Sequence, residues 1–158
     1  QNAYIMTQMM EGVVERGTAR QVQALGRPAA GKTGTTNDCT DAWFIGYTPQ
    51  LVTGVWVGYD DMRTLGKAQT GGRVAAPIWT DFMRHALESE PVLKFPAPPG
   101  IEFVKIEPRS GLLAPPGSEE FLVQAFKDGT APVRYYDPTE EDRMTDDIMH
   151  VFPTDLPL

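Results

Sequence analysis

A lysine, two threonines and a glycine stand together near the start of the chain, in the sequence Lys32-Thr33-Gly34-Thr35. Lysine supplies a positive charge and threonine hydroxyls can donate hydrogen bonds, so this group could bind a carboxylate. Gly34 has no side chain to block the close approach of a substrate. A strand at this position could also pair with an extended peptide through main-chain hydrogen bonds. An isolated Lys-Thr-Gly triplet fits equally well a solvated lysine on an edge strand.

The residues just before this group form a second possible motif. Residues 26–33 match G-x-x-x-x-G-K-[ST], the pattern of the phosphate-binding P-loop. That site needs a strand before the loop and a helix after it, because backbone amides must converge on the phosphates. Here we expect a helix before the loop and a β-hairpin after it, and Pro28 removes one amide donor. The predicted order of elements therefore argues against a nucleotide site.

The elements that position the lysine segment can be predicted from hydrophobic periodicity. Apolar residues recur every four positions within residues 5–14, which predicts a helix that Asn2 caps and Gly17 ends. Two runs rich in aromatic and β-branched residues, 42–47 and 51–59, are joined by a proline turn and predict a hairpin. With the lysine segment as a preceding strand, the prediction is a three-stranded antiparallel meander.

Both hairpin runs are apolar on both faces, so we expect helices on each side of the sheet. The same argument places Trp43, Trp56 and Trp79 in the core. Gly71-Gly72 opens a second predicted helix, with Pro77 near its first turn. The predicted fold class is α/β, a mixed fold in which helices cover an antiparallel sheet.

Composition divides the rest of the chain into three parts after a first domain at residues 1–90. Residues 91–100 are proline-rich and predict a stiff linker, and residues 101–136 predict a small β-rich unit with three short strands. Residues 137–158 hold seven acidic residues against one arginine, and we expect a mobile or partner-bound tail. A nearly neutral body with an acidic tail argues against nucleic-acid binding.

Cysteine and histidine usage excludes two further classes of site. Cys39 is the only cysteine, so an internal disulfide is excluded, and the two histidines, His85 and His150, are far apart. This composition argues against a zinc site, and neither a metal nor a cofactor is predicted. The sequence also lacks an apolar run of the roughly 20 residues that a membrane span needs.

Several segments together resemble the class A penicillin-binding proteins of bacteria. Residues 31–37 are similar to that family's KTGTT strand, 41–49 to an aromatic strand ending in GYTP, and 55–60 to a strand ending in VWVGYDD. The K-T-G triplet is itself a signature of penicillin-binding proteins and class A β-lactamases. Residues 72–83, GRVAAPIWTDFM, resemble the helix that follows. The resemblance covers about residues 3–88, and residues 101–132 are similar to the family's short carboxy-terminal extension.

The resemblance implies a function as well as a fold. The fold would be the carboxy-terminal portion of the transpeptidase or serine β-lactamase-like domain, incomplete without an upstream chain. The activity would be that of a serine D,D-transpeptidase, whose partners are peptidoglycan stem peptides and β-lactam antibiotics. Lys32, Thr33, Gly34 and Thr35 would bind the substrate. Lys32 and Thr35 would also be catalytic, Thr35 because its backbone N–H would be one donor of the oxyanion hole.

Two other motifs of that family, S-x-x-K and S-x-N, are missing here. The three serines, Ser89, Ser110 and Ser118, begin neither pattern, and we expect all three to be solvated loop residues. The nucleophilic serine is therefore expected upstream of Gln1, in the half of the same protein that completes the sheet. As a hypothesis, residues 1–90 fold fully only against that half.

The resemblance also implies a membrane-anchored glycosyltransferase domain upstream. The intact protein would then be bifunctional and lie at the periplasmic face of the bacterial inner membrane, touching the membrane only through its amino-terminal anchor. Two alternatives remain: a non-catalytic penicillin sensor or scaffold, and a D,D-carboxypeptidase or β-lactamase relative. The aromatic hairpin and the carboxy-terminal extension argue against the second. A nucleotide-binding protein depends on the P-loop match alone.

Overall fold

A computed structural model describes residues 1–139 of the chain. These residues belong to two compact units, one formed by residues 1–99 and one that begins at Gly100. The acidic tail predicted for residues 137–158 lies outside the described residues except for its first three positions.

The first unit contains the predicted helices and the predicted meander. Its elements, in chain order, are α1 (Asn2–Glu15), a 3-10 helix (Arg20–Leu25), β1 (Ala30–Thr35), β2 (Asp41–Tyr47), β3 (Val52–Gly58), a wide π-type turn (Gly71–Ala75) and α2 (Ala76–Ala86). The three strands form one antiparallel sheet in the order β1-β2-β3. The mixed fold of helices on an antiparallel sheet is thereby confirmed. A helical segment precedes the lysine strand and a hairpin follows it, which is the reverse of the P-loop order.

The ends of α1 differ from the prediction. Asn2 is the first helical residue rather than the cap, which is Gln1, and the last helical residue is Glu15, followed by Arg16 as the C-cap. Gly17 lies beyond the helix, where the chain folds back so that the Ala19 N–H donates to the Val13 carbonyl at 3.1 Å. A Cβ on Gly17 would lie 2.8 Å from Val13 Cα, so this glycine permits a close approach rather than ending the helix.

The core of the first unit lies between one face of the sheet and α2. Strand alternation directs Phe44 of β2 to this face, and the ring meets Trp79 of α2 edge-on with centroids 5.2 Å apart. Both side chains are fully buried, as is Met83 one turn further along α2. Trp79 Nε1 donates to the Thr53 carbonyl at 3.0 Å, which satisfies the one polar atom of a buried indole. The prediction of Trp79 as a core residue is confirmed.

The opposite face of the sheet is largely open within the described residues. Trp43 and Trp56 are each 44% exposed and Ile45 is 52% exposed, although the two tryptophans were predicted in the core. That prediction was wrong for this chain because α2 packs on the other face. The two indoles contact each other instead, with centroids 6.3 Å apart. Only the Tyr47 end of β2 meets α1, where the Tyr47 hydroxyl lies 2.8 Å from Thr7 Oγ1.

The proline-rich segment packs on the first unit. Gln50 Nε2 donates to the Pro91 carbonyl at 2.6 Å, and the Phe95 ring lies edge-on to Tyr47 with centroids 5.5 Å apart. Gln1 Nε2 donates to the Pro99 carbonyl at 3.1 Å. Residues 91–99 are thus held by the β2–β3 connection and by the first residue of the chain.

The second unit is built on a two-stranded antiparallel ribbon. Its strands are β4 (Ile101–Ile106) and β5 (Leu122–Lys127). Of the three short strands predicted for this unit, the middle one, at residues 112–114, is reduced to Leu113, which forms single bridges to Ile106 and Tyr135. Among the described residues of this unit, Ile106 and Ala125 are the buried apolar side chains, so its core is small.

Candidate functional site

The predicted binding residues lie together on β1, which is an edge strand of the described sheet. β1 pairs with β2 alone, in a register that sets Thr33 opposite Phe44 and Gly34 opposite Trp43. Side chains alternate along a strand, so Thr33 and Thr35 share one face and Lys32 lies on the other. The four residues are therefore adjacent, but the cation and the two hydroxyls leave the strand in opposite directions.

Both threonine hydroxyls have defined partners. Thr33 Oγ1 lies 2.8 Å from Oγ1 of Thr18, which stands just before the 3-10 helix. Thr35 Oγ1 accepts a hydrogen bond of 3.0 Å from the backbone N–H of Gly71. The first partner comes from the segment before β1 and the second from the turn before α2, so two separate parts of the unit orient the hydroxyl pair.

Lys32 is exposed, and its side chain reaches back to the strand. Its Nζ donates to the Thr33 carbonyl at 2.7 Å. Thr36 N–H donates to the Asp41 carbonyl of β2, and strand amides alternate in direction, so the N–H groups of Thr33 and Thr35 point away from β2. The ammonium group and the Thr35 N–H therefore serve the same free edge. An extended, anionic ligand could pair with this edge and meet the lysine charge there.

Gly34 also makes room for a neighbouring aromatic side chain, a role that its place in the sequence did not indicate. A Cβ at Gly34 would lie 3.2 Å from Trp43 Cβ, on the face that also carries Lys32. Glycine at this position lets the Trp43 indole lie close beside the strand. Gly34 therefore leaves this face of the strand without a protruding side chain and makes room for the Trp43 side chain.

Gly71 and Gly72 are part of the site although sequence reasoning assigned them only to the start of a helix. Both are buried. A Cβ on Gly71 would lie 2.1 Å from the Trp43 carbonyl oxygen and 2.5 Å from that of Gly34, and one on Gly72 would lie 2.1 Å from the Thr18 carbonyl oxygen. No side chain fits at such distances, so the glycine pair lets the π-type turn rest directly on β1. This close contact has a signal in the sequence: a glycine pair directly before the apolar helix that follows the hairpin.

The turn that follows β1 is fixed by a hydroxyl network. Thr36 Oγ1 accepts from the backbone N–H groups of Thr40 and Asp41, each at 3.0 Å. Asp41 Oδ1 in turn accepts from Trp56 Nε1 at 2.9 Å. Cys39 lies in this turn with φ of 51°, a conformation uncommon for residues other than glycine. These contacts hold the carboxyl end of β1 in place, which is the end where Thr35 lies.

The serines occupy positions that match the prediction of loop residues. Ser89 and Ser110 are exposed and Ser118 is half-buried, and all three lie outside helices and strands. Ser110 Oγ donates to Glu107 Oε2 at 2.7 Å, in a turn of the second unit. The partner of Ser110 is therefore an ionised carboxylate and not the lysine that an S-x-x-K motif would supply.

Two recesses elsewhere in the described chain do not involve β1. One, of about 400 Å³, lies between the 3-10 helix and α2 and is lined by Gln21, Ala24, Arg73, Pro77, Thr80, Asp81 and Arg84. The other, of about 440 Å³, lies in the second unit and is lined by Glu107, Arg109, Pro115, Ser118, Glu119, Glu120, Tyr136 and Pro138.

Within residues 1–139, no three His, Cys, Asp or Glu side chains are grouped so that they could hold a metal ion. No helix of the described part is long and apolar enough to cross a membrane.

Comparison with known proteins identifies the family. Residues 1–84 match the family described as penicillin binding protein transpeptidase domain. Because this match covers more than half of the chain, the chain belongs to the penicillin-binding protein transpeptidase family. Several relatives within that family are named penicillin-binding protein 1A.

Two such relatives and one solved structure show the extent of the likeness. Penicillin-binding protein 1A of Pseudomonas aeruginosa is 47% identical over 82% of this chain and 16% of that protein. The Rickettsia felis protein of the same name is 36% identical over 96% of this chain and 19% of that protein. A crystal structure of penicillin-binding protein 1A from Haemophilus influenzae superposes with a TM-score of 0.76 at 33% identity, covering 85% of this chain and 21% of that one. The chain thus spans about a sixth to a fifth of the length of the proteins it matches.

Proposed function

We propose that this chain supplies the substrate-binding strand of a serine D,D-transpeptidase that cross-links peptidoglycan stem peptides and is acylated by β-lactams. The observation that carries the proposal is the free edge of β1, where the Lys32 ammonium group and the Thr35 N–H serve one side of the strand. Membership of the transpeptidase family supports the reaction class.

The proposed reaction is an acyl transfer in two steps. A serine oxygen attacks the carbonyl carbon of the penultimate residue of a donor stem peptide, and the Thr35 N–H stabilises the oxyanion that forms. The terminal residue leaves as an amine, its nitrogen taking up the proton that the serine hydroxyl loses, and the donor remains as an ester on the serine. The amine of a second stem peptide then attacks the ester, a new amide bond forms and the serine is released. The Thr33 and Thr35 hydroxyls donate hydrogen bonds to the terminal carboxylate of the donor peptide during the first step, and Lys32 supplies a positive charge at the edge of the strand.

The nucleophilic serine is proposed to lie in the part of the protein that precedes residue 1. None of the chain's serines begins an S-x-x-K or S-x-N motif. The open sheet face with Trp43, Ile45 and Trp56 supports this, because exposed apolar side chains beside Lys32 suit a covering layer that brings the serine to β1. Cooperative unfolding of residues 1–158 alone would count against this dependence on the preceding part.

The proposal extends to the intact protein. We propose that it also carries a peptidoglycan glycosyltransferase domain and works at the periplasmic face of the inner membrane, held by an anchor in the preceding sequence. The similarity to proteins named penicillin-binding protein 1A supports this. The division into a transpeptidase part at 1–90, a linker at 91–100, an extension at 101–136 and a tail at 137–158 stays a prediction.

Peptide mapping of the penicillin adduct tests the proposed function. The intact protein is treated with a fluorescent penicillin, denatured and digested, and the labelled residue is identified by mass spectrometry. The proposal predicts a label on one serine that precedes residue 1 in the intact sequence. A label on Ser89, Ser110 or Ser118 would overturn the assignment of the nucleophile. Absence of any label would contradict the proposed reaction and favour a non-catalytic module.

A further inference from the structure

The hydroxyls of Thr33 and Thr35 are each restrained by one contact from outside β1. Thr35 Oγ1 accepts the Gly71 N–H at 3.0 Å. A threonine hydroxyl has one hydrogen to donate and two lone pairs to accept with. An amide N–H can only donate, so this contact occupies a lone pair of Thr35 and leaves its hydrogen for another acceptor.

The contact at Thr33 differs because two hydroxyls meet there. Thr18 Oγ1 and Thr33 Oγ1 are 2.8 Å apart, and either one can be the donor. If Thr18 donates, the Thr33 hydrogen is free, as the Thr35 hydrogen is. If Thr33 donates, its hydrogen is used and Thr33 can only accept from a ligand. An anionic ligand selects the first arrangement because it needs donors on both threonines.

The main chain fixes Thr18 in place for this contact. Its carbonyl oxygen lies so close to Gly72 that a Cβ there would be 2.1 Å away, and the same Cβ would lie 3.5 Å from Thr33 Cγ2. Thr18, Gly72 and Thr33 therefore form one tight contact. The fully buried Ala19 next to Thr18 anchors the segment through its N–H, which bonds to Val13.

We propose that Thr18 is a positioning residue for the terminal carboxylate of the donor stem peptide. Thr18 donates its hydroxyl hydrogen to Thr33 Oγ1, so that Thr33 and Thr35 both present hydrogens to that carboxylate. The inference rests on the proposed function, in which β1 binds that carboxylate. Hydrogen bonds in a chain polarise one another, so the Thr18 bond also strengthens the donation from Thr33 to the anion.

A purely structural role for Thr18 makes a different prediction. If the Thr18–Thr33 bond only ties the 3-10 segment to β1, its loss affects every ligand of the site equally. If Thr18 orients the Thr33 hydrogen, its loss affects ligands that carry a carboxylate and spares neutral ones. The discriminating measurement is therefore a comparison of one penicillin with its own carboxylate methyl ester.

The test uses the intact protein and three variants. Thr18→Val keeps the shape and removes the hydroxyl, and Thr18→Ser keeps the hydroxyl. Thr7→Val removes the equally short contact between Thr7 of α1 and Tyr47 of β2, which involves neither Thr33 nor Thr35. The second-order rate constant of acylation is measured for the penicillin and for its ester. Thr18→Val is expected to lower the rate with the carboxylate about tenfold and the rate with the ester less than about twofold. Thr18→Ser is expected to restore the first rate, and Thr7→Val to leave the ratio of the two rates unchanged.

Other results would overturn the inference. Equal losses with both ligands in Thr18→Val would show a structural role, and no loss with either would show that the Thr33 hydrogen is oriented without Thr18. A wild-type protein that neither ligand acylates would refute the proposed function itself. That failure is distinct, because in the first two cases the wild type reacts normally.

Discussion

The Gly71 N–H donates to Thr35 Oγ1 at 3.0 Å, and this hydrogen bond links the π-type turn before α2 to the strand that carries the candidate binding group. The bond can form because Gly71 and Gly72 lie against β1 with no room for a Cβ. The position of the candidate binding strand therefore depends on a residue 36 positions beyond Thr35 in the chain.

Substitution of Gly71 by alanine is expected to be severe. The new Cβ would lie 2.1 Å from the Trp43 carbonyl oxygen, and this atom belongs to the sheet backbone, so β1 and β2 would have to shift. Overpacking of this kind destabilises a protein by about 1–3 kcal/mol, and the shift would also weaken penicillin acylation. Thermal denaturation and acylation of the intact protein measure both effects. Arg73→Ala is the matched control, since Arg73 lies in the same turn with an exposed side chain; equal effects of the two variants would contradict the prediction.

Trp79 is expected to be the side chain of α2 that contributes most to stability. It is fully buried against Phe44 and satisfies its indole N–H on the Thr53 carbonyl. Trp79→Ala removes a large core side chain together with the hydrogen bond of its indole, so the loss should be about 3–5 kcal/mol. Ile78→Ala, on the exposed side of the same helix, should lose less than about 1 kcal/mol. Denaturation midpoints of the intact variants compare the two, and similar losses would show that α2 does not pack as described.

The pH dependence of the second unit should be linked to Glu107. The hydroxyl of Ser110 and the N–H groups of Arg109 and Ser110 all donate to its carboxylate, and they lower the pKa of Glu107 below its ordinary value. Folding thus favours the ionised form. The stabilisation is present above the ordinary carboxyl pKa and is lost as the pH falls through the lowered pKa of the folded state.

An NMR titration of the Glu107 side chain measures this effect. Ser110→Ala removes the largest cause of the shift, so the pKa of Glu107 should rise toward its ordinary value. Ser118→Ala, on a different loop, should leave the pKa of Glu107 unchanged. A Glu107 pKa that is the same in the wild type and in Ser110→Ala would contradict the hydrogen-bonded turn.

The open sheet face should behave as buried in the intact protein. Ile45 is 52% exposed in this chain beside Trp43 and Trp56. If the preceding part of the protein covers this face, Ile45→Thr should destabilise the intact transpeptidase domain by about 1–2 kcal/mol, since a hydroxyl would replace buried apolar surface. Val123→Thr in the second unit, where Val123 is 55% exposed, is the control and should change little. Equal melting temperatures for the two variants would show that the face is not covered.

Local sequence features were enough to predict the meander and the placement of the binding residues on its first strand. The alternating aromatic and β-branched runs and the proline turn define β2 and β3, and the K-T-G triplet falls on β1 as expected. Trp43 and Trp56 were wrongly predicted in the core. The hydrophobic pattern shows which face of a strand is apolar, but it does not show whether the described chain includes the layer that covers that face.

The contacts that orient the binding residues could not be predicted in the same way. The Thr18–Thr33 and Gly71–Thr35 bonds join residues 15 and 36 positions apart, and they depend on how the turns before β1 and α2 fold back onto the strand. A glycine pair at a helix start reads equally as a flexible joint or as a close approach. Only the distances to the Trp43, Gly34 and Thr18 carbonyl oxygens distinguish the two.

The central claim is that β1 binds the anionic ligand of a transpeptidase site, and Lys32 tests it most directly. The measurement is the second-order rate constant of acylation of the intact protein by a penicillin, in the wild type, in Lys32→Ala and in Lys94→Ala, another exposed lysine of the same unit. Loss of a charge-assisted contact to a carboxylate should lower the rate about 10- to 100-fold in Lys32→Ala and leave Lys94→Ala unchanged. Acylation of Lys32→Ala at the wild-type rate would show that this strand does not bind the ligand.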